Sequence, residues 1–180
     1  IAVASNGTVF VTGGSTGIGT GSDYVTVAYS NAGIPLWTNR YNGPGDWSDY
    51  AITMAVDTNS HVYVTGRPAR SGSGYDCATI AYSSAGVPLW TNRYNGPGNG
   101  GDYCNAITLD AAGNVYVTGS SAGSGTGSDL AIIKYDAAGN QIAVTDANNH
   151  TTAYEYDDLG RAIKTTFADG TFSAVAYDAL

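Results

Sequence analysis

The residues of this chain that could do chemistry fall into a few recurring groups. A glycine-rich run, Val11-Thr12-Gly13-Gly14-Ser15-Thr16-Gly17-Ile18-Gly19, has the spacing of a dinucleotide-binding loop. Such a loop works where a strand runs into a helix whose N-terminal amides face a pyrophosphate. The residues that follow, TGSDYVTVAY at 20–29, carry a strand pattern instead, so a long Gly/Ser turn is expected and no cofactor. Asp23, Asp76 and Asp129 recur every 53 residues and could form a ring of carboxylates or calcium ligands. A calcium loop gathers several oxygen ligands within about a dozen residues. Each of these segments supplies one acid, so bonds to nearby backbone N–H groups are the expected role and no metal site is assigned.

Trp37 with Tyr41, and Trp90 with Tyr94, lie on matching segments and could stack on a sugar or a protein partner. Aromatic residues recurring at a fixed period also bury large apolar area between structural units, which is the expected use here. With Asp23, Asp76 and Asp129 they make the set of possible ligand-binding residues. Cys77 and Cys104 are the two cysteines. They are expected in neighbouring units, beyond the roughly 7 Å Cα separation a disulfide tolerates, and hence as two partly buried free thiols. His61 falls in a turn and His150 in a junction. Neither has a Ser or Cys partner legible in sequence, so no nucleophile–base–acid set is assembled and no enzyme is expected.

The elements that must position these residues come from an internal repeat. The run PLWTNRYNGPG starts at Pro35 and again at Pro88, 53 residues later, and the same offset carries Val9-Phe10-Val11-Thr12-Gly13 onto Val62-Tyr63-Val64-Thr65-Gly66 and Val115-Tyr116-Val117-Thr118-Gly119. A period of roughly 40–50 residues made of short strands points to propeller blades or a related array. One unit reads as four strands, at 50–57, 61–66, 76–83 and 87–94, joined by hairpin turns and closed by a Gly/Pro crossing at 95–101. Ile1 aligns with Met54, so the chain is expected to start in mid-repeat as a piece of a longer protein. With 12% charged residues, seven Lys and Arg and a formal charge of −8, the chain lacks the basic patch a nucleic-acid partner demands. No apolar run approaches the roughly 20 residues that span a bilayer, so no membrane insertion is expected.

The third copy departs from the pattern. Ala143 stands where Trp37 and Trp90 stand, and the NRYNGPG tail is missing. A different grammar follows, with Tyr156-Asp157 and Tyr177-Asp178 spaced 21 residues apart. The segments GNVYVTG at 113–119, DLAIIKYDAAGN at 129–140 and both PLWTNRYNGPG runs resemble the bacterial beta-propeller repeat written SBBP. Tyr156-Asp157-Asp158-Leu159-Gly160-Arg161, Asp169-Gly170-Thr171 and Tyr177-Asp178-Ala179-Leu180 resemble the YD, or RHS-type, repeat. The second resemblance implies a spiral β-shell in a large secreted or cell-surface bacterial protein.

The expected fold is all-β: about three four-stranded antiparallel blades, open because three cannot close a ring, then YD-type β-hairpins packed on or trailing from the last blade. Residues 1–146 are assigned to the blades and 147–180 to the YD segment. The expected function is a non-catalytic scaffold whose partners include further repeats of the same longer chain. The alternative is a module that binds a glycan or protein through blade-top loops such as 66–76.

Overall fold

A computed structural model describes residues 1–69, 74–125 and 127–178. Residues 70–73, in the loop assigned above to recognition, and 179–180, at the end of the second YD match, lie outside the described residues. Among the described residues the backbone forms fifteen strands in three antiparallel sheets. The first sheet holds β1 (Ala2–Val3), β2 (Val9–Thr16), β3 (Ser22–Tyr29) and β4 (Pro35–Tyr41) in that order. The second repeats it with β5 (Tyr50–Val56), β6 (Val62–Arg67), β7 (Cys77–Tyr82) and β8 (Pro88–Tyr94). The third contains β9 (Tyr103–Leu109), β10 (Val115–Gly123), β11 (Gly127–Tyr135), β12 (Gln141–Asp146), β13 (Thr151–Tyr156), β14 (Ala162–Thr166) and β15 (Phe172–Ala174).

The 53-residue offset reappears as strand register. Ala2 pairs with Phe10, Ala55 with Tyr63 and Thr108 with Tyr116. The VTG signature has a steric cause. At Gly66 and Gly119 the partner strand slips register, and any Cβ would collide with the carbonyl of Tyr50 or Tyr103. A shared turn joins the strands: a type I turn closed by a residue in the left-handed region. Asp57, Asp110, Asp146 and Asp157 each open such a turn by accepting from the amides two and four residues on. The same device therefore serves both the 53-residue and the 21-residue grammar.

Each sheet is pleated, so alternate residues on a strand face opposite neighbours. Val62, Val64, Ile80 and Tyr82 pack against Phe10, Tyr24 and Ala28 of the first sheet. From the other face of the second sheet, Tyr63, Cys77 and Ala81 pack against Val115, Val117, Ile133 and Tyr135. The second seam is thus the first moved by one repeat. One pair breaks the equivalence and corrects the expectation of free thiols: Cys77 and Cys104 form a disulfide, with Cα atoms 5.2 Å apart. The third strand of one blade lies against the first strand of the next, so residues in different blades are neighbours across the seam. The same two positions hold Tyr24 and Ala51 in the first seam.

The YD segment continues the third sheet. β12 pairs with β13 through Ala143–Ala153, Val144–Thr152 and Thr145–Thr151, and the ladder runs on to β15. The assigned boundary at 146 falls in the turn of this hairpin, which the sheet crosses. The 21-residue period has its own bond: the Tyr156 hydroxyl donates to the Gln141 carbonyl at 2.9 Å, and the Tyr177 hydroxyl to the Ala162 carbonyl at 3.1 Å.

Candidate functional site

The recurrent aromatic residues sit in the seams between blades. The Trp37 ring lies against Phe10 of its own sheet at 5.8 Å and Tyr82 of the next at 5.9 Å. Its indole N–H donates to the Ser84 carbonyl at 3.0 Å, and Asn39, two residues on, donates to the Gly86 carbonyl at 2.7 Å. One repeat later Trp90 lies between Tyr63 and Tyr135, its N–H donates to the Ala137 carbonyl at 3.3 Å, and Asn92 donates to the Gly139 carbonyl at 2.5 Å. Trp-x-Asn on the outer strand of one blade therefore clamps the β-turn of the next. The receiving glycine is required twice over. Gly86 and Gly139 have φ of 80° and 92°, and a Cβ would lie 2.7 Å and 2.6 Å from the indole rings.

The other predicted acids and the histidines are engaged within their own sheets and turns. Buried Asp23 accepts from Arg40 at 2.8 Å and buried Asp76 from Arg93 at 2.7 Å. The positive charge of Arg93 also acts on the Tyr41 hydroxyl across the first seam. Tyr41 meets the Tyr24 ring edge-on at 5.4 Å. Burial pushes the Tyr41 and Tyr94 hydroxyls up. His61 and His150 each return a ring nitrogen to the aspartate of their own turn, Asp57 at 3.0 Å and Asp146 at 3.1 Å. The glycine-rich run of residues 11–19 lies on β2 and the turn into β3, with no helix to face a pyrophosphate. Among the described residues no group of three His, Cys, Asp or Glu side chains is placed to hold a metal.

Two further acids escaped the sequence reading. Asp49 and Asp102 are buried and tie each Gly/Pro crossing to a neighbouring segment, the loop after β6 and the end of β10 respectively. Asp49 accepts from Gly43 N–H at 2.5 Å and Ala69 N–H at 2.8 Å, and Asp102 from Gly96 N–H at 2.9 Å and Ala122 N–H at 3.2 Å. Burial pushes the Asp49 carboxyl up, against the lowering effect of its two amide donors. The signal was available in the Asp-Tyr pair that recurs at 49–50 and 102–103.

Where the third copy loses its signature residues, a cleft opens. Ala143, Thr145 and Asp146 take the positions of Trp90, Asn92 and Arg93. The long Arg93 side chain pairs with Asp76, but the short Asp146 side chain turns back to its own hairpin. The result is a cleft of ≈ 660 Å³ whose walls include Arg93, Tyr94, Asp129, Asp146, His150 and Tyr154. Of the predicted ligand-binding residues, Tyr94 and Asp129 reach it. The Trp37 and Trp90 rings are engaged in the seams, and Asp23 and Asp76 in ion pairs within their own sheets.

Residues 90–125 match the family model of the beta-propeller repeat, SBBP, and residues 135–180 match that of the RHS repeat. The two matches follow one another along the chain. The RHS match begins at Tyr135, and Tyr135-Asp136, Tyr156-Asp157 and Tyr177-Asp178 follow one another at 21 residues. Tyr135 is also the 53-residue equivalent of Tyr29 and Tyr82, buried against Trp90 at 5.7 Å. One Tyr-Asp pair thus keeps the 53-residue register and opens the RHS match. Among curated proteins, none matches the chain.

Proposed function

We propose that this chain is a non-catalytic scaffold at the junction between a blade array and an RHS sheet in a large secreted or surface-displayed bacterial protein. The observation that carries the proposal is the unbroken ladder from β9 through β12 into β15, built around the Tyr135-Asp136 pair at which the 53-residue and 21-residue registers meet. A junction made by sheet continuation transmits orientation without a flexible linker. RHS repeats are typical of extracellular and cell-surface proteins, and the Cys77–Cys104 disulfide suits an oxidising compartment. The recurrent acids, aromatics and histidines support a structural role because their polar groups are used in turns and seams. On bacteria making the whole protein, antibody against residues 1–180 labels intact cells or the medium. Labelling that requires lysis overturns the reading.

A second reading is favoured by the cleft. Its aromatic walls and its mix of Arg93, Asp129 and His150 suit a glycan or a polar peptide. Binding lost on Tyr94→Ala or Tyr154→Ala, with unfolding unchanged, would select this reading over a purely structural one.

A further inference from the structure

We infer that the cleft between the second and third sheets receives an arginine side chain of a peptide partner, with Ser121 and Asp129 as its acceptors, a chemistry that rests on the second reading above, in which the cleft takes a ligand. The first blade shows what these positions hold. Arg40 donates through Nη1 to the Ser15 carbonyl at 2.7 Å and to Asp23 Oδ2 at 2.8 Å, and through Nη2 to Ser15 Oγ at 3.1 Å. Ser15 and Asp23 are paired across β2 and β3, and Arg40 reaches them from β4, where it is paired with Val25. A guanidinium presents its donors in a planar fork, so a carboxylate beside a carbonyl and a hydroxyl is a matched set of acceptors. In the second blade Pro68 takes the serine position, and Arg93 keeps the acid, Asp76, at 2.7 Å.

The third blade keeps serine and acid but replaces the arginine. Ser121 is paired with Asp129 across β10 and β11 as Ser15 is with Asp23, and Asp146 is paired with Ala131 where Arg40 is paired with Val25. Asp146 cannot stand in for the arginine. Its carboxylate has no hydrogen to donate, and it accepts from the amides of Asn148 and His150 and meets the His150 ring. Those bonds, the His150 amide foremost, hold its carboxyl below the usual range, so it adds a negative charge beside Asp129. Ser121 is 5% exposed, and its Oγ makes no hydrogen bond among the described residues. A buried hydroxyl without such a bond is costly, and a guanidinium placed as in the first blade supplies it. Ser121, Asp129 and Asp146 all line the cleft, which is open because the Trp-x-Asn latch of the first two blades is replaced there by Ala143 and Thr145.

The other walls suit the stem and neighbours of an arginine. Tyr94 and Tyr154 lie on them, and aromatic rings attract a guanidinium, as Arg161 at 4.3 Å from the Tyr177 ring centre illustrates elsewhere in this chain. Arg93 is also on the wall, but its charge is matched by Asp76, so Asp129 and Asp146 set the local sign. At ≈ 660 Å³ the cleft has room for residues flanking the arginine, which favours a peptide segment over the free amino acid. The formal charge of −8 draws such a cation toward the chain.

The test measures binding of a short, end-blocked fluorescent peptide with a central arginine to the 180-residue chain, beside matched peptides carrying citrulline or lysine and beside free arginine. The arginine peptide is expected to bind at least about tenfold more tightly than the citrulline peptide, which keeps the shape and loses the charge. It is also expected to bind more tightly than the lysine peptide, whose ammonium lacks the fork, and than free arginine. Asp129→Asn is expected to weaken binding at least about tenfold and Ser121→Ala roughly threefold. Asp146→Arg supplies the first blade's arginine in cis and is expected to abolish binding, with a urea midpoint at or above that of the parent chain. Equal affinity for arginine and citrulline, or a folded Asp146→Arg chain that still binds the peptide, overturns the inference. Should Asp146→Arg fail to fold, Asp129→Asn decides, and unchanged affinity overturns the inference. A citrulline peptide bound as well as the arginine peptide, and lost on Tyr94→Ala, keeps the cleft as a ligand site and removes only the arginine. Binding of none of the peptides also overturns the inference, and the second reading then rests on a glycan alone.

Discussion

The two seams between blades are one surface displaced by 53 residues, and they differ most where a side chain from one blade's third strand meets the next blade's first strand. In the first seam Tyr24 lies over Ala51, its ring fully buried and its hydroxyl against Gly66. In the second the equivalents Cys77 and Cys104 are bonded. A large aromatic beside a small residue and a covalent bridge are two ways to fill the same gap. The first relies on packing alone, while the second also restricts the unfolded chain. The bridged seam is the one adjoining the seven-stranded sheet.

Removing the bridge has the largest expected effect. The two cysteines are 27 residues apart, and closing a loop of that length corresponds to about 3.5 kcal/mol. Cys77→Ala with Cys104→Ala is expected to lose most of that in urea unfolding. Cys77→Tyr with Cys104→Ala, which writes the first seam into the second, is expected to recover about half. Equal midpoints for the wild type and the double alanine variant would break the comparison.

The latches come next. Trp37→Ala and Trp90→Ala are each expected to cost about 3 kcal/mol, but to express it differently. Without Trp37 the first sheet opens alone, seen as faster hydrogen exchange confined to β1–β4. Without Trp90 the second seam stays tethered and exchange rises on both sides. Ala143→Trp, which restores the third tryptophan where no turn waits for it, is expected to change stability by less than about 0.5 kcal/mol.

Much of this architecture was legible because repetition aligns residues whose environments are the same. The period gave the strands, the turns and the place where Trp yields to Ala143. The disulfide was missed because Cys77 and Cys104 were assigned to separate blades. The seam, rather than the blade, is the packing unit, and in it β7 and β9 are neighbours. The Trp-x-Asn latch was half legible: packing was anticipated, but its receptor turn lies 47 residues away and becomes visible only when sheets are stacked. The cleft was not legible, since it arises from side chains becoming shorter at Ala143, Thr145 and Asp146.

Asp49 and Asp102 sharpen the comparison at the crossings. Each carboxylate satisfies two amides in a buried loop, so Asp49→Ala and Asp102→Ala are each expected to cost about 2 kcal/mol. Two-sheet fragments released by limited proteolysis at the affected crossing are the signature to seek. For Asp49 the pH dependence has a definite sign. Its carboxyl is raised above the usual value of 3.8 by burial, so the folded chain binds its proton first on acidification. The ionised group thus lowers stability as pH rises from 3.8 through its folded pKa, and Asp49→Asn should flatten that part of the profile.

The smallest effect at neutral pH, and the one that separates the seams most cleanly, lies on the alkaline side. Burial pushes the Tyr63 and Tyr82 hydroxyls up to about 12, and those of Tyr24 and Tyr135 higher still. The folded chain therefore holds these protons when the unfolded chain, with tyrosines near 10, has released them. Stability is full below pH 10 and falls as pH rises toward the folded values. Tyr24 and Tyr82 belong to the unbridged seam, Tyr63 and Tyr135 to the bridged one. Tyrosinate absorbance should rise in two phases, the first accompanied by loss of protection in β1–β4. Reducing the disulfide should merge the phases, because the second seam then opens like the first. A single phase with the disulfide intact would mean that the tether contributes nothing to holding the tyrosines buried, and that the two seams differ in composition but not in strength.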